Sequence, residues 1–214
     1  MVNEKILESV KKARENAPKR NFKQSFDIHV NLKNTDLKKP ENKVKTELAL
    51  PHPVGKEVKI GVFADVLVPQ VKKHADAFLI SRDQIDSYAK DKKKSRDLGN
   101  NIHSFLAEAP LMPQIAKALG PVLAVRNKMP KPIPPTIQDL KPLIERAKNS
   151  VRISLKDSPV LNCRIGLEEM SDDKIADNAE AVINAVIAVL PKGREQFKNA
   201  YIKLTMGKPV KVEM

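Results

Sequence analysis

Hydrophobic and polar residues alternate along the chain with two periods, and the changes of period predict its elements. From residue 4 to 17 apolar side chains fall at helical spacing (Ile6, Leu7, Val10, Ala13, Ala17), and Pro18 closes the helix. From Phe22 to Leu32 the period drops to two. Phe22, Gln24, Phe26, Ile28, Val30 and Leu32 take one face, and Lys23, Ser25, Asp27, His29 and Asn31 the other. That is a half-buried strand with a solvated face, and Gln24 is the one lapse on its apolar side. Val44, Leu48 and Leu50 predict a second alternating strand, ended by Pro51.

The middle reads differently. Val58 to Ala64 is nearly continuous in apolar residues. A helix near Val66–His74, a strand Ala77–Ile80, a helix from Ser81 to about Lys90, a strand Ser104–Ala107 and a helix Pro113–Leu119 follow. Strands joined by helical crossovers imply a parallel sheet covered on both faces. Residues 120–136 read as a loop stiffened by Pro121, Pro130, Pro132, Pro134 and Pro135, and Ile137–Lys148 as helix.

The last quarter resembles the first. Val151–Leu155 and Val160–Ile165 are strands around the turn Lys156-Asp157-Ser158-Pro159. Asp172–Leu190 is an amphipathic helix with Ile175, Ala179, Val182, Val186 and Val189 on one stripe, and Ala200–Thr205 and Pro209–Val212 are strands again. Alternating strands at both ends around a parallel α/β middle predict a discontinuous two-domain chain, joined at a double connection that makes a natural hinge. A single mixed-sheet domain is the simpler alternative.

Charge narrows the partner. Over 214 residues, 39 Lys and Arg face 26 Asp and Glu, a net +13. The excess is +6 over residues 1–60 and +7 over 61–154, with none over 155–214, so it is not a detachable tail. A polyanion is the natural partner. Aromatics are only 4% with no Trp, which disfavours a single-strand reader built on stacking platforms and favours a binder of folded nucleic acid. No apolar run reaches the roughly 18–20 residues of a membrane span, and Met1-Val2-Asn3-Glu4-Lys5 opens like a helix and not a signal peptide. The single Cys163 rules out an internal disulfide, and the expected setting is soluble and cytoplasmic.

Enzyme readings find little support. Pro51-His52-Pro53-Val54-Gly55-Lys56-Glu57 contains Gly-Lys, yet it lacks the first glycine and the Ser/Thr of a phosphate loop and precedes a strand instead of following one. His29, His52, His74 and His103 lack metal-ligand spacing, and His29 reads as merely solvated on the polar strand face. Cys163, inside an apolar strand, reads as an inert core thiol. Glu168-Glu169 and Asp172-Asp173 suit a helix start. Lys92-Lys93-Lys94-Ser95-Arg96 is a basic loop that either touches phosphate or is simply solvated; Arg126, Lys128 and Lys131 sit in the proline-stiffened loop with the same two readings.

The strongest signal is the run Asn199 to Pro209, which closes a strand with Thr205-Met206-Gly207. Threonine suits a 2′-hydroxyl or a phosphate, methionine an adaptable apolar contact, and glycine a close backbone approach; the plain alternative is an ordinary turn. The segment Thr205-Met206-Gly207-Lys208-Pro209-Val210 resembles the C-terminal signature of the large-subunit ribosomal protein L-one family. So do Asn21-Phe22-Lys23-Gln24-Ser25-Phe26-Asp27-Ile28, Leu50 to Val58, Leu119 to Pro130 and Pro191-Lys192-Gly193-Arg194, in order along nearly the whole chain. Ala107-Glu108-Ala109-Pro110-Leu111-Met112-Pro113 resembles its archaeal branch.

The resemblance implies a discontinuous α+β domain with an antiparallel sheet, formed by residues 1–61 and 155–214, and an inserted Rossmann-like parallel α/β domain at 62–154. It implies a non-enzymatic protein without cofactor or metal, monomeric when free. Its expected partners are the large-subunit rRNA of the mobile side stalk, exit-site tRNA on the ribosome, and its own mRNA, whose translation it represses. RNA-binding positions carry over to Phe22, Ser25, Thr205, Met206 and Gly207, with Arg164 and Gly166, and Tyr201 and Lys203, bordering the same surface. Phe22 has a competing core role. The family's Leu-Gly-Pro-Arg-Gly central-loop pattern departs here to Leu119-Gly120-Pro121-Val122-Leu123-Ala124-Val125-Arg126-Asn127, and its His-Gly-x-Gly-Lys stretch to His52-Pro53-Val54-Gly55-Lys56. The rival classes are a nonspecific basic nucleic-acid binder and a nucleotide-dependent enzyme using the parallel sheet.

Overall fold

The computed structural model describes residues 2–35, 45–55, 58–74, 77–137, 139–155 and 158–213. In chain order its elements are α1 (Val2–Glu15), β1 (Ser25–Leu32), β2 (Lys45–Ala49), β3 (Ile60–Ala64), α2 (Val68–Val71), β4 (Ala77–Ser81), α3 (Arg82–Lys90), α4 (Lys92–Asn101), β5 (Ser104–Glu108), α5 (Met112–Val125), β6 (Lys131–Ile133), α6 (Lys141–Lys148), β7 (Ser150–Ser154), β8 (Val160–Leu167), α7 (Asp172–Val189), β9 (Phe197–Leu204) and β10 (Val210–Val212). They form two compact units, Met1–Lys56 with Asn149–Met214, and Glu57–Lys148.

In the first unit an antiparallel sheet runs in the order β10-β9-β1-β8, so both chain ends contribute to it. Phe26, Ile28, Val30 and Leu32 of β1 are buried together with Ile6, Val10 and Ala13 of α1 and Ile175, Ala179, Val182 and Val186 of α7. The helices therefore cover one face of the sheet and leave the polar face of β1 to solvent. Val189, expected on the buried stripe of α7, is instead 40% exposed, because the helix ends there and Leu190 turns inward.

The expected boundaries shift at both crossings. β7 lies beyond 148 and pairs with β2 in a separate two-stranded sheet, so it belongs to the first unit. β3 starts at Ile60 and pairs with β4 and β5, so it belongs to the second. β7 and β8, adjacent along the chain, enter different sheets. Val44, Lys156 and Asp157 lie outside the described residues. Asn178 ties the outgoing chain down: fully buried on α7, it accepts from His52 N at 3.0 Å and donates to His52 O at 3.1 Å and Ile165 O at 2.8 Å.

The second unit is a parallel sheet in the order β4-β3-β5-β6. Phe63, Phe105 and Ala107 face the core with α3, α4 and α5, while Ile60, Val62 and Leu106 face the other side with α2 and α6. Two elements of this unit, and the extension of a third, escaped the sequence pattern. Residues 92–101 form a helix and not a loop: Asp91 caps it by accepting from the Lys93 and Lys94 amides, and only Ser95, Leu98 and Gly99 are buried, too small a stripe to read as apolar.

Helix α5 runs through Gly120 and Pro121 to Val125. Ile115, Leu119 and Leu123 anchor its buried side, and exposed Pro121 leaves its unpaired carbonyl partner to water. Asn127, at φ 54°, ends the helix with amide bonds from Asn127 to Ala124 O and from Lys128 to Leu123 O, a Schellman cap. Lys131–Ile133 is a strand on β5 despite Pro132. It lies at the sheet edge, where a missing amide is tolerated.

The nucleotide-enzyme reading meets a physical obstacle at the end of β5. There the buried Glu108 carboxylate accepts from the Asp65 amide at 2.9 Å and the Leu67 amide at 2.8 Å, so these two donors are already occupied and not open to an anion. Among the described glycines the closest approach is at Gly61, where a Cβ would stand 2.5 Å from the Phe105 ring. Phe105 is buried against Phe63, ring centroids 5.7 Å apart, so a Cβ on Gly61 would have to displace a packed ring. Gly61→Val is therefore expected to lower stability by about 2–4 kcal/mol through overpacking. Urea unfolding checks this, and an unchanged midpoint would show that the ring yields freely.

Candidate nucleic-acid interface

Of the predicted residues, the open face of the sheet carries Ser25, Arg164, Tyr201 and Lys203. Ser25, Asp27, His29 and Asn31 point outward from β1, Asn162 and Arg164 from β8, and Tyr201 and Lys203 from β9. Register places Asp27 opposite both Arg164 and Lys203, and His29 opposite Asn162 and Tyr201. A bulge produces this arrangement. Phe26 pairs with Gly166 and Asp27 with Arg164, so Ile165 is an extra residue that shifts the phase of β8 and turns Arg164 out.

Asp27 sits between the two cations, and its carboxyl is pushed above the ordinary aspartate range. Burial is the main cause, and Arg164, His29, Lys203 and a hydrogen bond from Ser25 offset it in part. His29 is not merely solvated: its Nδ1 lies 2.6 Å from Asn162 Oδ1, and its Nε2 is buried. Farther along the face Asn31 donates to Asn199 at 2.8 Å, and Asn199 reaches the Tyr201 hydroxyl at 3.4 Å.

At the end of β1 and β9 the sheet closes on Thr205-Met206-Gly207. The Thr205 amide donates to Ser25 O at 3.1 Å, and the Ser25 amide returns a bond to Thr205 Oγ1, also 3.1 Å. The two hydroxyls lie 3.1 Å apart. Thr205 thus terminates the ladder with its side chain, on a hydroxyl that is engaged and still exposed. The Gly207 amide bonds to Leu204 O at 2.9 Å, closing a turn.

Phe22 and Met206 are each 52% exposed at this end, so Phe22 does not take the core place that strand alternation offered it. β1 begins only at Ser25, so Phe22 precedes the sheet.

The two glycines face inward. A Cβ on Gly207 would meet Ala17 Cβ and Leu204 Cβ, both at 3.3 Å, and one on Gly166 would meet Met170 Sδ at 3.1 Å and Ile175 Cγ1 at 3.2 Å. Their small size lets the turn pack against Ala17, just past α1, and the bulge against Met170 and Ile175 at the start of α7.

Sequence reasoning passed over the residues beneath this surface. Gln24, the lapse in the β1 pattern, is fully buried. Its side chain accepts from the Met206 amide at 3.1 Å and donates to Pro18 O at 3.0 Å. Its backbone amide donates to Glu168 Oε2 at 3.2 Å, and its carbonyl accepts from the Glu168 amide at 2.9 Å. Arg14 holds the same turn from α1. It bonds Asp172 through Nε and Nη2, donates to Glu168 O and Met170 O, and lies 5.2 Å from the Phe26 ring centroid. The signal for Gln24 was its place on the apolar face of a strand, where a polar side chain must be partnered.

Other candidates resolve into structural parts. Lys128 Nζ donates to Gly99 O at 2.9 Å and Ile102 O at 2.6 Å at the end of α4, and Arg126 bonds Asn100 and Val122 O. Both are tied to the fold and not held out on a loop. Lys92, Lys93, Lys94 and Arg96 are exposed on the first turns of α4. Glu168 and Glu169 lie in the turn before α7, and Glu169 pairs with Lys23 at 2.9 Å. Cys163 is buried and its thiol is pushed up to about 12 by burial and by nearby Asp27, so it stays protonated and unreactive. Among the described residues no group of His, Cys, Asp or Glu could hold a metal ion, and no helix is long and apolar enough to cross a membrane.

Comparison with known proteins places this architecture. Residues 10–208 match the Ribosomal protein L1p/L10e family. The chain is 48% identical over 210 residues to the large ribosomal subunit protein uL1 of Thermococcus kodakarensis, covering 98% of this chain and 97% of that protein. It is 46% identical over 210 residues to that of Pyrococcus horikoshii, with 98% and 96% covered. It is 43% identical over 213 residues to that of Methanocaldococcus jannaschii, with 100% and 97% covered. These relatives are archaeal and named as ribosomal proteins, not enzymes. With an antiparallel sheet built from both chain ends, a parallel insertion and a match along nearly its whole length, the chain belongs to the ribosomal protein L1p/L10e family.

Proposed function

We propose that the chain binds folded large-subunit rRNA, at the mobile side stalk, through the end of the antiparallel sheet in its first unit. The observation that carries this reading is the pair Phe22 and Met206, two large apolar side chains half exposed at one end of a polar sheet face. Apolar contact with sugars and bases, flanked by Arg164 and Lys203 for phosphate, is the chemistry of a shape-specific RNA reader. The names of the relatives support the ribosome as the setting.

On the ribosome the same protein would serve the release of exit-site tRNA as the stalk moves. A fold in its own mRNA that mimics the rRNA target would occupy the same surface, which is how it would repress its own translation. Neither role needs a cofactor, and the free protein acts as a monomer.

Met206→Ala and Phe22→Ala are each expected to weaken binding to a side-stalk rRNA fragment by about 1–3 kcal/mol, roughly 5- to 150-fold, with the fold intact. Lys92→Ala and Lys93→Ala, in the other unit, should change affinity little. Filter binding or calorimetry reads both. Unchanged affinity in Met206→Ala and Phe22→Ala would move the site elsewhere.

Asp27 has an electrostatic cost that can be measured on the free protein. Its carboxyl titrates higher in the fold than in the unfolded chain, so the native state holds the proton more tightly and stability falls as pH rises through that window. Asp27→Asn is therefore expected to raise the Tm at pH 7, with the difference closing as pH drops through the ordinary aspartate range near ~3.9. A lower Tm for Asp27→Asn at pH 7 would mean that attraction to Arg164 and Lys203 outweighs burial.

A further inference from the structure

We propose that Gln24 is the positioning residue of the RNA surface, a buried amide that fixes the Thr205-Met206-Gly207 turn in its binding conformation before RNA arrives. This rests on the rRNA-binding reading above.

Gln24 cannot touch RNA itself, since it is fully buried. Its Oε1 instead accepts the Met206 amide at 3.1 Å, while its Nε2 is anchored on Pro18 O at 3.0 Å. One side chain thus joins the turn that follows β9 to the segment that follows α1. Its own backbone is clamped on both sides by Glu168, at 3.2 and 2.9 Å, and Glu168 O is in turn held by Arg14. Gly207 completes the seat: its backbone packs on Ala17, one residue from Pro18, at a distance that admits no side chain without adjustment.

The Met206 amide is the point of control. In an exposed two-residue turn this donor would ordinarily bond to water and the turn would sample several conformations. Bonded to a buried acceptor, it orients the exposed Met206 side chain at the sheet end. Binding then avoids part of the ordering cost that a loose turn would carry, which is the benefit of preorganisation. A leucine in place of Gln24 has nearly the same volume but no acceptor for Met206 and no donor for Pro18.

The alternative is that Gln24 merely stabilises the fold. A mutant cycle separates the two. Gln24→Leu, Met206→Ala and the double variant are titrated with side-stalk rRNA fragment in parallel with thermal unfolding. If Gln24 acts through the turn, Gln24→Leu raises Kd about tenfold. The double variant should then bind no more weakly than Met206→Ala alone. Losses that multiply would overturn the proposal, as would an unchanged Kd for Gln24→Leu beside a weakened Met206→Ala. If Met206→Ala binds normally while Phe22→Ala is weakened, the positioning role alone is overturned; if both bind normally, the RNA-site reading fails, and the positioning role fails with it for that separate reason.

Amide hydrogen exchange on the free wild-type protein guards against a variant that does not fold. The Met206 amide is expected to exchange at least tenfold more slowly than an open turn amide, as a donor to a buried acceptor should. Exchange at the open-turn rate would overturn the proposal whatever the variants do.

Discussion

A fully buried amide must find hydrogen-bond partners, and where Gln24 finds them decides how the sheet of the first unit ends. The strand face that carries Phe26, Ile28, Val30 and Leu32 is apolar and needs no instruction beyond alternation. One step before it, Gln24 draws in Pro18, Glu168 and Met206 from three distant parts of the chain. The helix end, the turn after β8 and the turn after β9 meet at one point because leaving that amide unpaired would cost about 1–3 kcal/mol. Everything exposed at this end of the sheet, Phe22, Thr205 and Met206 included, stands on that joint.

The rest of the face follows from strand register. The bulge at Ile165 turns Arg164 to the same side as Lys203, with Asp27 between them. A half-buried carboxylate between two cations keeps them from being a bare positive patch and costs stability to maintain. Under the proposed rRNA-binding function, the net +13 of the chain would supply long-range attraction for a polyanion, whereas a local arrangement of this kind would supply selectivity. Exposed lysines such as those of α4 contribute to the first and not to the second.

How much of this was legible in the sequence depends on which force shaped each part. The half-buried strands and amphipathic helices were legible, because a single period of two or 3.6 residues reports one buried face. Helix α4 was not, since Ser95 and Gly99 bury as small groups under a lysine-rich surface and leave no apolar stripe. The extension of α5 past Pro121 was hidden because Leu119 and Leu123 hold the helix from the buried side while the proline faces water. At the site, family resemblance singled out Thr205, Met206 and Gly207. The inward role of the two glycines and the buried partnership of Gln24 emerge only from distances between segments far apart in sequence.

In the proposed function this sheet end reads the shape of one folded RNA and not merely its charge. The most direct test is a titration of the protein with side-stalk rRNA fragment and with an unrelated hairpin of equal length, at two salt concentrations. Phosphate contacts weaken with salt for both RNAs at about 0.7–0.9 per contact on the logarithmic slope. A large preference for the stalk RNA that survives at the higher salt is the expected result. Equal affinity for the two RNAs, lost together as salt rises, would contradict it.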